Sequence, residues 1–279
     1  MAKQEESMNQ NPMLDNIYAQ PVSIKAQLEL QQGSQRAALL AAAKIIREAT
    51  GNVIFTGMGG SLFATVAPVS RLLQQGLPVQ SVDSSELLHY GAASLRAGDV
   101  GVVISRSGGS IEPVALAKKM RQAGMKVIGF TNVPGSELEG LADVSLMIGS
   151  LADKLIAVQT YTGTVLALLL LAEAVLAPDS SQFADACSAS LPVLAKHIQE
   201  CVRASEGWQD LLVGAPLYLL GRGASMGSIH EGALLIHETA KTAAVGMSCG
   251  QFRHGPAEIL ASDFRAVVFG APEATRALD

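Results

Sequence analysis

Val53-Ile54-Phe55-Thr56-Gly57-Met58-Gly59-Gly60-Ser61 carries a strand-length apolar segment straight into a glycine-rich turn, and a helical stretch, 62–73, follows at once. Working outward, strand-length runs and helical stretches keep alternating. Residues 79–82 lead to 85–90, and 100–104 lead to 111–122. Val127-Ile128-Gly129-Phe130 and 144–148 precede a long helix, 160–176. These strands are apolar throughout and not alternating, the pattern of a parallel sheet buried on both faces under crossover helices. The rhythm predicts one doubly wound α/β domain over residues 51–178.

Upstream, residues 1–50 read as a polar tail and a helical arm, with breaks at Gln20-Pro21 and at Gln32-Gly33-Ser34. Downstream, a polar break at Pro178-Asp179-Ser180-Ser181-Gln182 opens a helical connector, 179–212, with a short helix around Trp208. The pattern then restarts: Leu217-Tyr218-Leu219-Leu220 runs into Gly221-Arg222-Gly223-Ala224-Ser225 as the first strand ran into its glycine turn, an internal repeat. Only 217–220, 242–245 and 266–269 read as strands there. The prediction is two doubly wound parallel-sheet α/β domains of three-layer, flavodoxin-like form, the second (213–279) incomplete.

Composition narrows the function. Hydrophobic residues make up 49% of the 279 residues and charged residues 16%, with a net charge of -5, so no basic surplus exists for gripping nucleic acid. The three cysteines, Cys187, Cys201 and Cys249, lack metal-ligand spacing and make an odd set, so neither a disulfide framework nor a metal site is expected. A reducing, cytoplasmic compartment follows. Residues 1–11 contain no apolar signal core, and the apolar run 165–172 is shorter than the ~20 residues that span a bilayer, so a buried helix is expected and no membrane partner.

Two loops carry the chemistry. In Gly57-Met58-Gly59-Gly60-Ser61 the missing Cβ atoms and the free amides of a helix start favour an anion. A dinucleotide fingerprint is the rival, with Asp83 placed to hold a ribose hydroxyl, although its third glycine is Leu62 here. A tight structural turn is the third reading. The second loop, Ser105-Arg106-Ser107-Gly108-Gly109-Ser110, again lies between a strand end and a helix. Its hydroxyls, glycine pair and helix amides form a polar cup, unless it is only a capped turn. Two cups on one rim of a parallel sheet, at a switch in strand order, suit a small phosphorylated ligand better than a dinucleotide.

On these residues the chain resembles the sugar isomerase (SIS) domain proteins, specifically the tandem-SIS group that includes the isomerase half of glucosamine-6-phosphate synthase. Met13-Leu14-Asp15-Asn16-Ile17-Tyr18-Ala19-Gln20-Pro21 is similar to that group's entry motif. Ser105 to Ser110 resembles its S-x-S-G-x-[ST] phosphate loop. Gly250-Gln251-Phe252-Arg253-His254-Gly255-Pro256 resembles its G-[EQ]-x-[RK]-H-G-P. The resemblance implies phosphate contacts from Gly60, Ser61, Ser105, Arg106, Ser107 and Ser110. It also implies that Glu238, in Glu231-Gly232-Ala233-Leu234-Leu235-Ile236-His237-Glu238, moves a proton between sugar C1 and C2. His254 would help open the sugar ring from the neighbouring subunit of a homodimer.

Departures accompany it. Leu235 stands where the synthase has a lysine, with His237 the one nearby substitute, and Arg106 replaces the usual loop glutamine. By the resemblance, the family's C-terminal tail and its lysine are expected to fall beyond Asp279, and no glutaminase domain is expected ahead of the first α/β unit. The sequence is therefore expected to be a shortened form of a longer protein or an enzyme that depends on its dimer partner, with one phosphate site per chain. The leading expectation is an isomerase of a six-carbon (amino-)sugar phosphate, alone or coupled to deamination or deglycation, without metal or redox cofactor. A phosphosugar-binding regulator without turnover is the alternative.

Overall fold

The computed structural model describes residues 11–212 and 216–270. Two helices come first, α1 (Pro12–Gln32) and α2 (Arg36–Arg47). Of the two breaks expected in this arm, the one at Gly33 occurs, but Pro21 lies inside α1. Proline offers no N–H to the Ile17 carbonyl four residues back. The Gln20 side-chain amide donates to that carbonyl at 3.2 Å, and Gln20 Oε1 accepts from Thr162 Oγ1 at 2.6 Å. A side chain thus supplies the donor that the proline lacks, and the helix runs on.

The first α/β unit follows as β1 (Val53–Gly57), α3 (Gly60–Phe63), α4 (Val66–Leu73), β2 (Val79–Asp83), β3 (Val100–Ile104), α5 (Ile111–Gln122), β4 (Lys126–Thr131), α6 (Glu137–Leu141), β5 (Val144–Met147) and α7 (Gln159–Leu176). The single helix expected over 62–73 is two helices, because the Thr65 hydroxyl donates to the Leu62 carbonyl at 2.6 Å and competes with the helical ladder there. Between β2 and β3 the expected helix over 85–90 is a short turn, Ser84–Glu86, running into a π-helical turn, Leu87–Gly91.

All five strands are parallel in the order β2-β1-β3-β4-β5. Strand order reverses between β1 and β3, so the glycine turn after β1 and the serine loop after β3 leave adjacent strands at the switch point. The reason for unbroken apolar strands is visible in the packing. Phe55, Val102, Ile104, Ile128 and Phe130 enter the core under α1, α2, α4 and α7, while Ile54, Val103 and Val127 enter the opposite core under α5 and α6. Helix α7 is long and apolar enough to cross a membrane by composition, but two thirds of it is buried, with Leu166, Leu168 and Leu171 in the first core, as in the central helix of a packed domain.

Helix α8 (Gln182–Ser205) and a 3-10 turn, Gln209–Leu212, lead to β6 (Leu217–Gly221), α9 (Ser225–Ala240), β7 (Ala244–Ser248), α10 (Cys249–Arg253) and β8 (Arg265–Val268). The second parallel sheet has the order β7-β6-β8, the connectivity of β2-β1-β3 in the first. Strand β7 lies later than the expected 242–245: Lys241, at φ +53°, ends α9 in the left-handed region and pushes the strand start to Ala244. Only three strands pair in this sheet among the described residues, and Val268 on its edge is 51% exposed. Residues 213–215 and 271–279, within the expected second domain, lie outside the described residues.

Candidate functional site at the switch point

Helix α9 belongs to the second unit, yet it packs on α3 and α4 of the first. Gly227 comes close to the Phe63 carbonyl, and the His230 ring lies 5.4 Å from that of Phe63. This docking sets one face of α9 opposite the glycine turn after β1. Between them is a cleft of about 470 Å³, lined by Met58, Gly59, Gly60, Ser61 and Arg106 on one side and by Glu231, Leu234 and Glu238 on the other. Tyr161 and Thr164 of α7 and residues 155–157 belong to the same lining. The volume is in the range of small-molecule sites.

Glycine is required at two points of the turn. Gly59 sits at φ +51° and ψ -128°, a conformation closed to residues with a Cβ. A Cβ on Gly60 would lie 2.8 Å from Glu231 Oε2, so the bare backbone is what lets the helix carboxyl approach. The second loop is held by its neighbours. The Arg106 carbonyl accepts from the Asn132 amide at 2.8 Å, fixing the loop on the rim, while the Arg106 side chain is exposed toward the cleft and has no ion-pair partner among the described residues. Ser105 Oγ donates to Ser110 Oγ at 3.0 Å, and Ser107 Oγ accepts from the Gly109 amide at 3.3 Å. Ser110 is the N-cap residue of α5 but its side chain makes no capping bond, so the amides of that helix start stay available to an anion.

The sequence-predicted residues are brought together in part. Gly60, Ser61, Arg106 and Glu238 line one cleft. Ser105, Ser107 and Ser110 stand on the adjoining loop without lining it, Ser105 being buried and Ser107 exposed. His254, at the end of α10, is exposed and is not among the residues lining the cleft. His237 accepts from the Ala244 amide at 3.0 Å through Nε2, so its ring is engaged with β7 instead of standing in for a lysine. Asp83 accepts from the amides of Ser85 and Glu86, at 2.7 and 3.1 Å, and so serves as a cap where the dinucleotide reading needs a ribose ligand.

Sequence reasoning passed over two residues. Glu231 is 3% exposed, with Oε2 lacking any hydrogen-bond partner. Burial first, then the Glu238 charge, raises its carboxyl from 4.5 to about 7. Burial, followed by the nearby Glu231 charge, also raises the Tyr161 phenol. The signal available was spacing: Glu231 and Glu238 stand two helical turns apart on one face of the helix.

The SIS domain family model matches residues 45–176, the first α/β unit with the end of α2. The chain is 32% identical over 271 residues to the glutamine--fructose-6-phosphate aminotransferase (isomerizing) of Pyrobaculum aerophilum, across 93% of this chain and 43% of that protein. It spans under half the length of the curated relatives it matches. Among solved structures, the C-terminal domain of glucosamine-fructose-6-phosphate aminotransferase from Francisella tularensis superposes with a TM-score of 0.83 at 19% identity, over 97% of this chain and 79% of that one. Tagatose-6-phosphate ketose/aldose isomerase from Escherichia coli gives 0.74 at 23% identity, over 95% and 74%. At those identities the two structures speak for the fold alone. With a parallel sheet in the order 2-1-3-4-5, paired loops at its switch point and these matches, residues 45–176 form a unit that matches the SIS domain family model, and the chain resembles the isomerase part of glutamine--fructose-6-phosphate aminotransferase.

Proposed function

We propose that the protein is a phosphosugar isomerase acting on a six-carbon (amino-)sugar phosphate by aldose-ketose proton transfer, alone or coupled to deamination or deglycation. One observation carries this reading: a carboxylate, Glu238, and an anion cup, Gly60-Ser61 with Arg106, share a single cleft at the switch point. A phosphate held by turn amides, hydroxyls and a guanidinium fixes one end of an open-chain sugar, and a carboxylate beside its carbonyl end can take a proton from one carbon and return it to the next. Ser105, Ser107 and Ser110 complete the cup once a dianion draws the loop hydroxyls and the α5 amides toward it.

His254 fits this scheme as a ring-opening group supplied by a second copy, since its own chain leaves it exposed away from the cleft. A cytoplasmic homodimer as the catalytic unit belongs to the same proposal. So does the reading of β6 to β8 as a shortened second SIS unit, supported by the shared strand connectivity. The regulator alternative draws on Leu235 and on the engagement of His237 with Ala244, so that neither of these two positions supplies a cation to the Glu238 carboxylate. A turnover panel of hexose and amino-sugar 6-phosphates, with and without ammonia, separates them. Interconversion of one pair supports the isomerase, and ammonia release from an amino sugar adds the deaminase step. Tight binding without turnover would establish the regulator instead.

A further inference from the structure

We propose that Glu231 is the acid partner of Glu238, the carboxylic acid that gives a proton to the sugar carbonyl oxygen while Glu238 moves the carbon-bound one. The assignment rests on the isomerase reading and adds to it the group that handles the oxygen. Proton transfer between carbons leaves negative charge on the carbonyl oxygen, so the cleft needs an electrophile there. Arg106, the cation that lines the cleft, belongs to the anion cup in this reading, and the helix position three residues before Glu238 is the uncharged Leu235.

Glu231 meets the requirement by geometry. It lines the cleft two turns from Glu238 on the same helix face, is 3% exposed, and presents an Oε2 with no hydrogen-bond partner. The titratable and charged groups that share this cleft are Glu238 on its own helix, Tyr161 on α7 and Arg106 on the β3 loop, while His230 packs on Phe63. Burial and a neighbouring carboxylate keep the proton on Glu231 to about pH 7.

The step balances. Glu238 takes the C2 proton of the aldose, the C–H electron pair forms C1=C2, and the carbonyl π pair moves to O1, which takes the Glu231 proton. From the enediol, O2 returns its proton to Glu231 as C2=O2 forms, and C1 takes the proton from Glu238. Both carboxyls end in their starting states.

The test compares wild type with Glu231→Gln and Glu231→Asp across pH 5–9. It reads kcat and KM with the active hexose phosphate, and the affinity for an aldonohydroxamate phosphate that mimics the enediol. In wild type, kcat/KM is expected to fall tenfold per unit above about pH 7. Glutamine keeps the shape but cannot give up a proton, so kcat should drop at least 100-fold with KM within threefold, and the alkaline limb should vanish. Aspartate should retain that limb at reduced kcat. A Glu231→Gln enzyme with wild-type kcat, or with its alkaline limb unmoved, overturns the assignment, and if that variant does not fold, loss of the limb in Glu231→Asp does so. If wild type turns over no phosphosugar, the isomerase reading fails by itself and the hydroxamate decides. Affinity that weakens above pH 7 in wild type but stays flat in Glu231→Gln supports the acid role; parallel profiles, or no binding, overturn it.

Discussion

Glu231 is a carboxyl whose environment, not its sequence, sets its chemistry. Its folded-state affinity for protons is raised from 4.5 to about 7, chiefly by burial. Below about pH 4.5 both folded and unfolded chains hold the proton and nothing is lost. As pH rises toward 7 the unfolded chain releases it first, so this site's contribution to stability declines and is gone above 7. Glu231→Gln should therefore stabilise the protein at pH 8 by roughly 1–3 kcal/mol relative to its effect at pH 4.5, where the change should be close to neutral. Thermal unfolding at the two pH values checks this, and equal shifts at both would place the Glu231 carboxyl in water. The anion cup makes a separate demand. Ser107→Ala should weaken phosphosugar binding by about 1.5–3 kcal/mol, the scale of a hydrogen bond to a charged group, while leaving the melting temperature unchanged because Ser107 is exposed. Calorimetric titration with glucosamine 6-phosphate reads that loss, and unaltered affinity would remove Ser107 from the cup.

At the scale of elements, what could be read from sequence was what burial on two faces writes into it. The strands β1, β3 and β4 were legible because their residues alternate between two cores and both must be apolar. The loops after β1 and β3 were legible because glycine and serine at a strand end have a specific backbone use. Helix α1 was not: a proline signals a stop, and only the side-chain bonds of Gln20, to Ile17 in its own helix and to Thr162 of α7, show why the helix survives it. Replacing Gln20 by alanine should leave the Ile17 carbonyl and the Thr162 hydroxyl without these partners and cost about 1–2 kcal/mol. Urea unfolding measures it, and a change below 0.3 kcal/mol, on the order of surface substitutions, would show that packing alone carries α1 across Pro21. Strand β7 was misplaced because its residues, Ala244 to Ser248, include a glycine and a serine and are mostly half-buried, which dilutes the apolar signal. The acid on α9 escaped notice for a related reason. Glutamate on a helix usually faces water, and what buries Glu231 are Gly60 and Tyr161, brought to it from the first unit by the fold.

At the scale of the molecule, the two α/β units meet where α9 docks on α3 and α4, and the cleft exists only because they meet. In the proposed function the first unit supplies the anion cup and the second the carboxyls, so neither alone would hold the chemistry. The central claim is that this shared cleft moves a proton between neighbouring carbons of a phosphosugar, with Glu238 as the carrier. Exchange of the C1 or C2 hydrogen of fructose 6-phosphate or glucosamine 6-phosphate with deuterated water, followed by NMR for wild type and Glu238→Gln, tests it most directly. The account predicts deuterium at one of these carbons with wild type and at least a 100-fold slower exchange in Glu238→Gln, with binding within threefold. Exchange at the wild-type rate in Glu238→Gln, or none with wild type, would contradict it.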